Sequence, residues 1–180
     1  VYLLFSKETF IGQFKKLTYA LFKPKRANII IETARKSNEI FGGFISGKLI
    51  DSLIIGCLCF FFMSLLKLPY TNAVLVSVIV GVTNVIPFFG PFIGAVPGFI
   101  IIVLANPLQG LYFLIVIFIL QQVDGNIIGP TILGDSTGLS PFWVVFAIMV
   151  GGGLFGFAGM LLGVPVFAVI YYIIQRVIYR

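Results

Sequence analysis

Asn84-Val85-Ile86-Pro87-Phe88-Phe89-Gly90-Pro91-Phe92-Ile93-Gly94-Ala95-Val96-Pro97-Gly98 is an oily stretch broken by three prolines. Pro87, Pro91 and Pro97 each remove a backbone donor. In a bilayer, carbonyls freed this way must meet a cation, water or a neighbouring side chain. Gly90, Gly94 and Gly98 recur every four residues, a small-residue ladder that lets helices approach closely. The stretch therefore reads as a helix break lining a pathway, with the Asn84 amide offered to it. A tight re-entrant turn that only packs is the structural alternative. The choice rests on whether the surroundings are membrane.

Composition says that they are. The chain is 59% hydrophobic and 10% charged, with a mean hydropathy of +1.13, whereas a soluble domain is about a quarter charged. From Leu68 to Gln175 only Asp124 and Asp135 carry charge. An acid in the middle of a bilayer costs roughly 2.5–3.5 kcal/mol on insertion scales, so each is a functional candidate. The net charge is +6, and residues 6–48 account for it: Lys7, Lys15, Lys16, Lys23, Lys25, Arg26, Arg35, Lys36 and Lys48 against Glu8, Glu32 and Glu39. Such asymmetry fits one segment on an anionic membrane surface and one within the bilayer.

Three regions follow. Val1–Phe5 is apolar and reads as the tail of a preceding membrane helix. Residues 6–48 read as a basic amphipathic helical segment at the membrane surface. Ser6 is a cap candidate, Phe10, Phe14, Leu17 and Leu21 recur at helical spacing, and Pro24 breaks the pattern before a second stripe of Ile30, Ala34, Phe41, Phe44 and Ile45. Residues 49–180 read as a transmembrane helical domain with apolar segments at 49–66, 71–86, 92–105, 110–123, 142–157 and 160–175. A straight span needs about 20 residues, and 92–105 and 110–123 look shortest. The expected fold is all-α: a polytopic helical membrane protein with broken or re-entrant helices. The lysine and arginine bias places residues 6–48 and the C-terminus in the cytoplasm. Four or six crossings satisfy that equally.

The stretch 121–141 is polar and broken. Gln121, Gln122, Asp124 and Asn126 follow an oily helix, and Pro130 interrupts what comes next. Asp124 can bind a cation or proton, and the amides can hold a polar solute. The alternative is a surface cap in water. Asp135-Ser136-Thr137-Gly138 resembles a surface turn. Further on, Gly151-Gly152-Gly153-Leu154-Phe155-Gly156 and Gly159-Met160-Leu161-Leu162-Gly163-Val164-Pro165 hold the pairs Gly152–Gly156 and Gly159–Gly163. Such faces serve helix packing, and Gly156 can also serve as a hinge. Cys57 and Cys59 point to different helix faces and read as small packing residues. The absence of histidine removes the commonest zinc and acid–base residue.

These motifs resemble the AI-2E family of bacterial transporters, also called the PerM-like permease family. The likeness rests on Asn84 to Pro91, on Gln121 to Gly134, on Gly138 to Pro141, and on Gly151 to Pro165. Phe44-Ile45-Ser46-Gly47-Lys48 is similar to the family's entry into its next helix. The resemblance runs over essentially the whole chain and implies the C-terminal portion of a longer permease. It implies a multi-pass transporter of the bacterial cell membrane, working without nucleotide hydrolysis or cofactor. Two transported species are implied within the family: an autoinducer-2-like signal, and sodium or lithium exchanged for protons. Gly129 departs from the serine common in the family there.

The resulting expectation is a transporter, not an enzyme, with no catalytic or metal-ligating residues. Asp124, Gln121, Gln122, Asn126 and Asn84 form the solute or ion pathway, and Pro87, Gly90, Pro91, Pro97, Pro130 and Gly156 form helix breaks or hinges. The partners are the lipid bilayer, a small polar solute or Na+ and H+, and further copies of the chain. A membrane aspartyl protease lacks its other signatures, a nucleic-acid binder lacks an aromatic-interleaved basic motif, and a structural membrane scaffold would carry no flux.

Overall fold

A computed structural model describes residues 7–87, 89–133 and 137–178, and every element among them is helical. The expectations for Val1–Phe5, Ser6, Asp135 and Ser136 fall outside the described residues. Helix α1 spans Lys7–Leu21. Helix α2 runs Pro24–Leu65, 42 residues without interruption. Pro24 stands at its start, where a missing N–H costs nothing. At 1.5 Å per residue α2 is about 63 Å long, twice the bilayer core. The position 48/49, expected to divide a surface segment from a membrane domain, lies inside this single helix.

Lys67, with φ 55°, turns the chain after α2, and Pro69 precedes α3, Tyr70–Thr83. The turn through Asn84–Pro87 leads into α4, Gly90–Ala105. Pro91 sits in the first turn of α4, whereas Pro97 lies inside it and leaves a carbonyl one turn back without its helical donor. These helices, of 14 and 16 residues, are about 21 and 24 Å long, short of a core of about 30 Å. They form an antiparallel hairpin whose apex is the quoted motif. A Cβ on Gly90 would overlap the Thr83 carbonyl, one on Gly94 would overlap Thr83 Oγ1, and one on Gly98 would stand 2.9 Å from Phe113 Cζ. The glycine ladder is thus the surface along which α4 closes on α3 and on the next helix.

Helix α5 is Pro107–Val123. Asn106 caps it, its Oδ1 accepting from the Leu108 and Gln109 amides at 3.0 and 3.4 Å. The α5 helix then widens into a π turn, Asp124–Ile128, before a short α6, Gly129–Leu133, that contains Pro130. With the π turn, the apolar stretch Pro107–Ile128 has 22 residues, long enough to span. So 110–123 is not a short segment; the short ones are α3 and α4.

Helix α7 covers Pro141–Ile178, but Gly156 has φ 60° and ψ −140°. Few side chains tolerate that conformation, and glycine does so without strain. The chain reverses there: Gly151 packs on the Gly159 backbone, and Gly163 packs on that of Ala147. Contacts that pair rising with falling numbers define an antiparallel hairpin. The apolar stretch Pro141–Arg176 is therefore folded back on itself and is not one straight span. Gly156 is the point of reversal, while Gly159 and Gly163 give the close packing their spacing predicts.

Two apolar clusters lie along α2. Near its middle, Phe44 meets Ala147, Ile148 and Val164 of the α7 hairpin. Further along, Ile55, Cys59 and Met63 join Val76, Val80, Ile102, Phe113 and Leu120 of α3, α4 and α5. Arg176 pairs with Glu32 and donates to the Tyr172 hydroxyl, tying the end of α7 to the start of α2.

Candidate functional site

Between those clusters, α2 presents Lys48, Asp51 and Ser52 on one face. Asp51 is 0% exposed, and Lys48 and Ser52 are each 5% exposed. Lys48 Nζ forms an ion pair with Asp51 Oδ2 one turn along. Counted in the sequence with the basic surface segment, Lys48 is in fact an interior cation. A buried pair loses several kcal/mol per ion in desolvation, so it persists only with close geometry and added hydrogen bonds.

The added bonds come from two other elements. Asn84, 1% exposed, donates through Nδ2 to Asp51 Oδ2 at 3.3 Å. It can do so because α3 ends there: the prolines that follow stop the helix and hold Asn84 at the hairpin apex. Asp124, where α5 passes into the π turn, is half-buried and lies near enough to Asp51, Lys48 and Asn84 to interact with them electrostatically. The π turn widens the helix at this level, and π turns recur at functional sites.

The quartet thus sets two carboxyls against one ammonium and one amide. Fully ionised, it lacks one positive charge, which a proton or a bound cation can supply. Asp51 Oδ1 is buried with no hydrogen-bond partner among the described residues, and the same holds for Gln121 Nε2 one turn before Asp124. Unmet polar atoms of this kind carry a cost of about 1–3 kcal/mol each.

The other expected residues divide. Gln121 is half-buried beside the quartet on α5. Gln122 and Asn126 are exposed and bond to each other, Asn126 Nδ2 donating to the Gln122 carbonyl at 2.7 Å. No hydrogen bond joins either to the quartet among the described residues. Pro87, Gly90 and Pro91 shape the apex that carries Asn84, while Pro97 lies further along α4 and Gly156 in the separate α7 hairpin. Among the described residues no group of His, Cys, Asp or Glu is arranged to hold a metal ion. Cys57 and Cys59 are both free, one exposed and one buried.

Sequence reasoning missed Asp51 and misplaced Lys48. A tally of lone acids that begins at Leu68 leaves Asp51 out. The spacing Lys48–Asp51–Ile55 was available: it puts an opposite-charge pair and an apolar residue on one helix face.

The chain matches the family model described as AI-2E family transporter over residues 1–178. Three relatives carry the name "Putative transport protein". YrrI of Bacillus subtilis is 40% identical over 76% of this chain and 38% of its own length. YueF of the same organism is 33% identical over 74% of this chain and 36% of its own. YhhT of Escherichia coli is 30% identical over 86% of this chain and 43% of its own. The chain spans about two fifths of the length of these curated relatives. No solved structure matches it. The chain belongs to the AI-2E transporter family, and its described residues fold as an all-α membrane chain.

Proposed function

We propose that this AI-2E family chain forms the solute-handling part of a bacterial cell-membrane transporter, and that the quartet Lys48, Asp51, Asn84 and Asp124 lies on the route of a small polar solute. The observation that carries the reading is a set of charged and amide groups from three helices, three of them buried and Asp124 half-buried, gathered where the short α3–α4 hairpin turns. Such groups in a membrane domain face a route or a bundle interior, and hairpins too short to cross are a feature of transporter sites. An autoinducer-2-like signal, rich in hydroxyls, would be held by the carboxyls, the Asn84 amide and the unpartnered Gln121 amide. Gln122 and Asn126 would meet the solute at the exposed mouth of the same stretch.

A second reading is Na+ or Li+ exchange for protons. Its support is the facing of Asp51 and Asp124, since two acids against one ammonium can alternate between a metal cation and a proton. In both readings residues 6–48, whose last member Lys48 reaches into the membrane domain, and the C-terminus lie on the cytoplasmic side, the protein works as a homo-oligomer, and no enzymatic step is involved. Proteoliposomes holding the intact protein test the proposal by comparing autoinducer-2 flux with Na+-driven proton movement. Asp124→Asn and Asp51→Asn are each expected to lower whichever flux is present by tenfold or more, on the order of 1.4 kcal/mol. Unchanged flux in both variants would sink the quartet's role. Absence of any flux in the unaltered protein would leave the structural scaffold as the better account.

A further inference from the structure

The α7 hairpin lies along α2, and two contacts fix its level there. Phe44 and Val164 share one buried cluster, and Glu32 pairs with Arg176. Twelve residues separate these contacts on each helix (44 − 32 and 176 − 164), so α2 and the second leg of α7 run antiparallel in step. Eight residues beyond Val164 (164 − 156), α7 reverses at Gly156, which brings its tip to about position 52 of α2. The α3–α4 hairpin reaches the same level from the opposite end. Asn84 bonds to Asp51, and a Cβ on Gly81 would stand 3.1 Å from the Gly56 Cα and 3.2 Å from the Ser52 carbonyl. One hairpin thus enters from the Glu32 end of α2, the other from the Lys67 end, and both turn near Asp51. That level is 19 residues (51 − 32), about 28 Å, from Glu32 and 16 residues (67 − 51), about 24 Å, from Lys67. It is the middle of the stretch between two charged ends.

The two hairpins are held differently. Backbone-close glycine contacts lock α3 to α2 and α4 to α3, and Phe113 of α5 packs on Gly98. Among the described residues, the α7 hairpin packs on no helix but α2. At its tip Leu154 and Phe155 are 70% and 74% exposed, and a Cβ on Gly153 or Gly156 would meet nothing within 4 Å. Within itself the hairpin is tight, because Gly151 lies on the Gly159 backbone and Gly163 on that of Ala147. We infer that the α7 hairpin is a gate. It swings on α2 as one unit about the Phe44 cluster and opens or closes the Glu32 end of the way to the quartet, while the α3–α4 hairpin is the fixed wall opposite. The Arg176–Glu32 pair is its latch. The latch side chains are 27% and 59% exposed, and pairs this wet are weak, so breaking it shifts a balance between two positions and leaves the fold intact. The inference rests on the quartet reading for what the gate serves, but the motion itself is read from distances and needs no flux.

Electron–electron double resonance on the intact protein in lipid nanodiscs tests the gate, with the native cysteines replaced. One pair of spin labels joins the hairpin tip to the fixed wall, at Phe155→Cys and Val82→Cys, both exposed positions. A control pair lies within the fixed part, at Val82→Cys and Leu111→Cys, also exposed. The tip pair is expected to show two distances and the control pair one. Glu32→Gln should raise the share of the longer tip distance relative to the shorter by about two- to fivefold, the scale of a partly exposed ion pair, and leave the control pair unchanged. The swap Glu32→Arg/Arg176→Glu should restore the original ratio. A single tip distance that Glu32→Gln does not alter, equal broadening of both pairs, or a swap that behaves as Glu32→Gln does would each overturn the gate. Flux lost in Asp51→Asn with the tip distances unchanged upholds both the quartet and the gate, whereas flux unchanged in the quartet variants beside a moving tip strikes the quartet alone.

Discussion

Removing the Lys48 ammonium is the sharpest perturbation the geometry offers. Lys48→Met keeps the length and apolar stem of the side chain but leaves Asp51 and Asp124 facing each other without a cation. Breaking a buried pair from one side costs about 3–5 kcal/mol, because the remaining charge is stranded. For a chain of this size, each kcal/mol moves the melting temperature by roughly 2–4 °C, so the expected drop is about 6–20 °C. Asp51→Asn is expected to be milder, about 1–2 kcal/mol, because Lys48 retains Asp124 and the new amide keeps an oxygen for Asn84. Lys48→Met/Asp51→Leu should recover part of the loss, since it removes the stranded Asp51 carboxylate and leaves Asp124 without a facing acid. The sign with pH also follows. In Lys48→Met a proton can stand in for the ammonium, so the deficit relative to the unaltered protein shrinks as pH falls from 8 to 5 and grows as it rises. Thermal unfolding in detergent across that range, with all three variants, is the assay. The reasoning is refuted if Lys48→Met melts within 2 °C of the unaltered protein, or if Asp51→Asn is the more damaging single change.

Three more outcomes rest on the helix breaks and caps. Gly90→Ala drives a Cβ into the Thr83 carbonyl, where neither backbone can give way, and should cost at least about 1–3 kcal/mol; an unchanged melting temperature would show that the hairpin apex is looser than described. Gly156→Ala places a side chain at φ 60° and ψ −140° and should cost about 1–3 kcal/mol. Gly153→Ala, in open helical surroundings, is its control and should be neutral or stabilising by up to about 1 kcal/mol. Asn106→Ala removes the cap of α5 and should cost about 0.5–2 kcal/mol, read as faster hydrogen exchange at the Leu108 and Gln109 amides with the rest of the helix little changed.

Much of the architecture was legible because it is local. An apolar composition with few charges leaves no way to face water, and helices are the economical way to satisfy a backbone in oil. Pro87, Pro91 and Gly90 stop a helix wherever they stand, so the α3–α4 hairpin could be read from one stretch. The glycine pairs foretold close packing at Gly159 and Gly163. What they did not reveal was the reversal at Gly156, because a GxxxG spacing looks the same on a straight helix and at a turn. The continuity of α2 across Lys48–Leu49 was not legible for a related reason. A change from basic to oily composition looks like a boundary, yet nothing at Lys48–Leu49 interrupts the hydrogen-bond ladder.

By itself, the sequence determined that this is a helical membrane chain with a helix break at Asn84–Pro91, since both properties follow from side chains acting on their own neighbourhood. It also singled out Asp124 and Asn84 as polar groups costly in oil. Only the tertiary structure decided what those groups face. Asp51 and Asn84 are 33 positions apart, and Asp124 lies further still along the chain; they meet because Gly56 and Gly81 let α2 and α3 touch and because α5 packs on α4 to bring its π turn to the hairpin apex. Spacing along one helix can pair Lys48 with Asp51, but which face is buried, and against which second acid, is settled by packing between helices, and that carries no signature in a local pattern.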